Sequence, residues 1–101
     1  MALAEVSIIP LGTDTTSLSK FVAQVVKVLQ AEPGIKYELT AMGTIIEGDL
    51  GQLFSIIQKM HETVFDDEVK RVLTVIKIDD RRDKAATMTG KVKSVKTKLG
   101  H

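Results

Sequence analysis

The chain has 101 residues, of which 44% are apolar and only 4% aromatic, and it carries a formal net charge of +1. That length fits one domain, 1–101, around one core, and the Val-, Ile- and Leu-rich composition argues against disorder. With no cysteine, disulfides and thiolate metal sites are excluded. The near-zero charge selects neither nucleic acid nor a membrane surface as partner. The start Met1-Ala2-Leu3-Ala4-Glu5 has no basic segment or long apolar run, so a cytoplasmic location is the expectation.

In chain order, Leu3 to Leu11 alternates as a strand, with Ala4, Val6 and Ile8 on one face and Glu5, Ser7 and Ile9 on the other. Pro10 and Gly12 end it. Thr13-Asp14-Thr15-Thr16-Ser17 supplies several N-caps for a helix. Its apolar stripe is Leu18, Phe21, Val22, Val25, Val28 and Leu29. Pro33-Gly34 stops that helix. Two strands follow, about Lys36 to Ala41 and Gly43 to Gly48, with Met42-Gly43 as the turn. Asp49 with Gln52 has the pattern of a capping box, opening a second helix striped by Leu50, Leu53, Phe54, Ile57, Met60 and Val64. A long strand spans about Val69 to Asp79, and the charged corner Asp79-Asp80-Arg81-Arg82-Asp83 closes it. A last helix is expected over about Lys84 to Leu99, with five lysines and no acids from Lys84 onward.

The order βαββαβ plus a C-terminal helix predicts an α+β, ferredoxin-like sandwich: two helices on one face of a four-stranded antiparallel sheet. The other face would show Ser7, Ile9, Ile45 and one side of the last strand. That strand is apolar on both sides, with Val72, Ile76 and Ile78 on one and Leu73 and Val75 on the other. Strands of this kind are usually covered on both faces. A second subunit packed sheet to sheet is the economical cover, so a homo-oligomer is expected.

With a turn at Met42-Gly43, Ala41 pairs with Thr44, Leu39 with Ile46, and Glu38 with Glu47. Like charges facing each other destabilise a sheet unless something offsets them. One reading is a pocket for a cation or a donor-rich ring on the open face. The other is two acids at a wet edge, or paired with Lys36, Lys77 or Arg71. Ser7, mid-strand, can orient a polar ligand or simply bond to a neighbour, and the same holds for Thr40 and Thr44. His61 beside Met60 lacks partners at metal-ligand spacing and reads as a structural histidine, and His101 is terminal. No nucleophile–base grouping, phosphate loop or HExxH motif is present. A single glycine before the first helix makes a weak anion site. RNA-binding sheets of this class use aromatics on the central strands, whereas here neither the first strand nor the last has one.

Several segments together resemble a known family, the small thiamine-binding proteins of ferredoxin-like fold. They are Glu5-Val6-Ser7-Ile8-Ile9-Pro10-Leu11-Gly12, the hairpin Tyr37-Glu38-Leu39-Thr40 through Met42-Gly43-Thr44 to Glu47-Gly48, the run Arg71-Val72 through Lys77-Ile78-Asp79-Asp80-Arg81, and Lys91-Val92 with Ser94-Val95. The resemblance implies a homo-oligomer, typically a tetramer of sheet-to-sheet dimers, that binds thiamine or a related pyrimidine without changing it. Carried over by position, it points first to Ser7, Thr44 and Glu47, and then to Glu38, Thr40 and Met42. Thiamine would be the bound ligand, with no further cofactor. A carboxylate suits its amino group and thiazolium charge; hydroxyls can complete the ring-edge bonds, and Ile9 and Met42 can cover ring faces. Two other classes stay open: an enzyme of the dimeric ferredoxin-like barrel type using Glu38 or His61, and a structural or regulatory oligomer.

Overall fold

The computed structural model describes residues 1–13 and 19–83, together with Val92 and Val95. The expected last helix therefore lies outside the described residues, apart from Val92 and Val95, which are both exposed. The N-cap run from Asp14 to Leu18 lies outside them as well.

Six elements follow one another: β1 (Ala2–Leu11), α1 (Ser19–Gln30), β2 (Lys36–Leu39), β3 (Thr44–Gly48), α2 (Leu50–Thr63) and β4 (Arg71–Asp80). The strands form one sheet in the order β2-β3-β1-β4, with every neighbouring pair antiparallel. This is the predicted α+β arrangement, with β3 and β1 as the two inner strands of the sheet. β1 pairs with β4 along its whole length but with β3 only from Ala2 to Val6. Ser7 to Leu11 thus run on beyond the end of β3.

The core lies between the sheet and the two helices. From β1 it takes Ala2, Ala4 and Val6, and from β3 Ile46. From α1 it takes Phe21, Val25 and Leu29, and from α2 Leu53, Ile56, Ile57 and Met60. Alternate strand residues and helix residues three or four apart meet there, as their periods require. Pro33-Gly34 ends α1 as expected. Gly34 adopts φ +83°, which glycine tolerates without strain.

Two local expectations are corrected. Asp49 is the N-cap of α2, but its side chain makes no capping bond. Gln52 Nε2 instead donates to Pro33 O at 2.8 Å, tying α2 to the turn after α1 rather than closing a capping box. The hairpin register also differs. Leu39 pairs with Thr44, Glu38 with Ile45, Tyr37 with Ile46 and Lys36 with Glu47. The turn is therefore Ala41-Met42, one residue earlier than the sequence suggested, and Glu38 does not face Glu47. Lys36 stands opposite Glu47 instead, removing the like-charge clash.

A two-residue shift leaves each side chain on its original face. Glu38 and Glu47 thus share the open face with Leu3, Glu5, Ser7, Ile9 and Ile45. Leu73, Val75, Lys77 and Asp79 of β4 lie on the same face. On it Lys77 Nζ approaches Glu5 Oε1 at 3.9 Å. Leu73 and Val75 are about half exposed, and Ile9 nearly so. Among the described residues no helix is long and apolar enough to cross a membrane.

Candidate functional site

The Thr40–Gly43 hairpin tip is built around one hydroxyl. Thr40 Oγ1 donates to Gly43 O at 2.9 Å and accepts from Met42 N at 3.2 Å and Gly43 N at 3.1 Å. Thr40 N also donates to Gly43 O at 2.8 Å. A hydroxyl has one proton and two lone pairs, so that of Thr40 is fully used inside the tip.

Gly43 has a different task from the one a Met-Gly turn suggests. Its φ is not positive. A Cβ there would lie 2.8 Å from Val6 O and 3.0 Å from Ser7 Oγ, so only glycine lets the tip press against β1. The contact is locked by Ser7 Oγ, which donates to Met42 O at 2.9 Å.

Beyond this contact the chain turns away into β2 while β1 runs on, and a notch opens. Its volume is about 400 Å³, within the range of small-ligand sites, roughly 300–1,000 Å³. Val6, Ser7, Ile8 and Ile9 of β1 form one wall, and Leu39 to Thr44 form a second. Phe21, Val22 and Val25 of α1 form a third, with Val64 at the end of α2 closing the floor. None of these described lining residues is charged. Met42 is 82% exposed at the mouth, whereas Thr44 is only 8% exposed.

Of the six residues singled out from sequence, the fold gathers Ser7, Thr40, Thr44 and Met42 around this notch. Glu38 and Glu47 are placed apart from it, on the open sheet face. Glu38 is exposed there and Glu47 is nearly buried. Ser7 and Thr40 both spend their protons on backbone carbonyls, which leaves the Ser7 lone pairs available to a ligand N–H. Phe21, Val22 and Val25 were readable only as a helix stripe, because nothing in a helical period tells which end of the stripe will border a cavity.

His61 lies outside the notch. Its Nδ1 is 2.7 Å from Thr74 Oγ1 and its ring meets Phe65 edge-on at 5.3 Å, the satisfied structural setting expected. Among the described residues no group of His, Asp or Glu side chains is placed to hold a metal ion.

A small, mainly apolar notch with a few fixed hydroxyls and backbone groups suits a ring-shaped ligand. The sequence profile of the family described as thiamine-binding protein matches residues 4–96.

The chain belongs to the thiamine-binding protein family. It is 53% identical to the UPF0045 protein YqgV of Bacillus subtilis over 102 residues, covering 98% of each chain. It is 44% identical to a UPF0045 protein of Methanothermobacter thermautotrophicus over 100 residues, covering 98% of this chain and all of the other. Its structure is similar to the crystal structure of hypothetical protein MJ1052 from Methanocaldococcus jannaschii. The TM-score there is 0.84 at 42% identity, over 93% of this chain and 94% of that one. The fold expected from the element order is thus shared within the family.

Proposed function

We propose that the protein binds thiamine or a related aminopyrimidine in the β1–β3 notch and releases it unchanged. The observation that carries this reading is the notch itself, in a chain of the thiamine-binding family: an apolar cavity of about 400 Å³ with Ser7 and Thr44 on its walls. Aliphatic side chains of Ile9, Val22 and Leu39 can cover ring faces, and the Ser7 lone pairs can accept from an amino group. Binding needs no nucleophile, and the described lining residues include neither a general acid nor a base.

A homo-oligomer is part of the proposal. Ile9, Leu73 and Val75 form an apolar strip on the sheet face away from the helices, and a second copy is the natural cover for it. Glu38 and Glu47 share that face apart from the notch, so a part for either carboxylate in offsetting the thiazolium charge is tested separately from the notch.

Two variants separate the notch from the acids. Val22 is 46% exposed while lining the notch, so Val22→Trp should fill the cavity at little cost to the core. It is expected to abolish thiamine binding with the thermal midpoint nearly unchanged. Glu47→Gln tests the carboxylate. If V22W binds like the wild type while E47Q does not, the ligand sits on the acidic sheet face and the notch assignment is wrong.

A further inference from the structure

The edge of β1 that borders the notch carries a backbone pair with no strand opposite it among the described residues. Thr40 N donates to Gly43 O across the hairpin tip, which makes Thr40 and Gly43 a hydrogen-bonded pair of the β2–β3 ladder. Such pairs alternate along antiparallel strands. Leu39–Thr44 is therefore a non-bonded pair, and the backbone of Thr44 points the other way, to its partner Val6 on β1. The position of Val6 O, 2.8 Å from where a Gly43 Cβ would lie, agrees with this direction.

Along β1 the backbones of Ala2, Ala4 and Val6 thus face β3, and those of Leu3, Glu5, Ser7 and Ile9 face β4. Ile8 is the next residue to point toward β3, and β3 has already ended. Its register partner would be Met42, which has turned into the hairpin tip and whose carbonyl is taken by Ser7 Oγ. Pro10, the following residue on that edge, has no N–H. Ile8 therefore offers the one main-chain N–H on this edge of β1 beyond β3, beside its own C=O, and Ile8 lines the notch.

We infer that the main-chain N–H and C=O of Ile8 are the specificity-determining pair of the site, reading a ring nitrogen and an adjacent amino group together. The inference rests on the binding role proposed above and deepens it. An amidine-like edge supplies one acceptor and one donor side by side, as a neighbouring strand would. An aminopyrimidine has such an edge. Replacing its amino group with an oxo group reverses the order of donor and acceptor, leaving like groups opposed. The open edge also explains why the loop donors can be spent internally: the Met42 and Gly43 N–H groups close the tip on Thr40, while β1 keeps its own pair for the ligand.

The test combines calorimetry with residue-resolved amide exchange by NMR, using thiamine and its 4-oxo analogue on the full-length protein. Without ligand, the Ile8 amide should exchange much faster than those of Ala4 and Val6, which β3 protects. Saturation with thiamine should slow it by about tenfold or more, and the oxo analogue should bind at least about tenfold more weakly. Thiamine binding with unchanged Ile8 exchange, or equal affinity for the two ligands, overturns the inference while leaving the binding role intact. An Ile8 amide already as protected as Val6 in the free protein overturns it too. Absence of any binding heat overturns the binding role itself, and the inference with it.

Discussion

Thr40 holds the hairpin tip through three hydrogen bonds from one oxygen, and Gly43 holds it against β1 through the absence of a side chain. Thr40→Val should lower stability by about 1–2 kcal/mol in denaturant unfolding and weaken thiamine binding, while Thr40→Ser restores both. Gly43→Ala forces a backbone shift at Val6 O and should cost roughly 2 kcal/mol or more, with loss of ligand binding. The sequence placed a turn here, and the family resemblance pointed to Ser7, Thr40, Met42 and Thr44 along with Glu38 and Glu47. It did not show their tasks. A Met-Gly pair reads as turn chemistry, because glycine most often answers a demand for positive φ; that the demand is proximity to Val6 depends on a strand 35 residues away in the chain, as the Ser7–Met42 bond records.

At the scale of elements, strand and helix order followed from periodicity, since periods of 2 and 3.6 are set locally. Register is not local. The turn lies at Ala41-Met42 rather than Met42-Gly43, with the Thr40 hydroxyl bonded across it, and every pair along β2–β3 shifts accordingly. The acid pair inferred between Glu38 and Glu47 disappeared for that reason, and Lys36 took its place opposite Glu47. The turn before β4 carries its own pH signature. Asp66 Oδ1 accepts from Val69 N at 2.7 Å and Glu68 N at 2.8 Å. These backbone bonds, with Lys20 nearby, hold its carboxyl below the ordinary value of 3.8. A carboxyl with a lowered folded pKa adds stability that is complete above the unfolded value and is lost as pH falls through the folded one. Asp66→Asn should therefore destabilise the wild-type fold at neutral pH and flatten the stability loss below about pH 3.8, as followed by thermal melts across pH.

Considered as a whole molecule, the fold covers only one side of its sheet with α1 and α2. Leu73 at 49% and Val75 at 46% exposure face the other side together with Ile9. If a second copy covers this strip, Leu73→Asp with Val75→Asp should convert the oligomer to monomer in light scattering, with secondary structure retained. A monomeric wild type, or an unchanged mass for the variant, would show that the strip is not the interface. The double variant also asks whether an isolated protomer binds thiamine.

Uptake of an intact aminopyrimidine in the notch where β1 outruns β3 is the proposed role of this chain. Titration of the purified wild-type protein with thiamine by isothermal calorimetry, followed by mass analysis of the recovered ligand, tests it most directly. The expected result is saturable heat at sub-millimolar concentration, lost in V22W, with thiamine recovered chemically unchanged. No heat at millimolar thiamine, or recovery of a converted product, would contradict it.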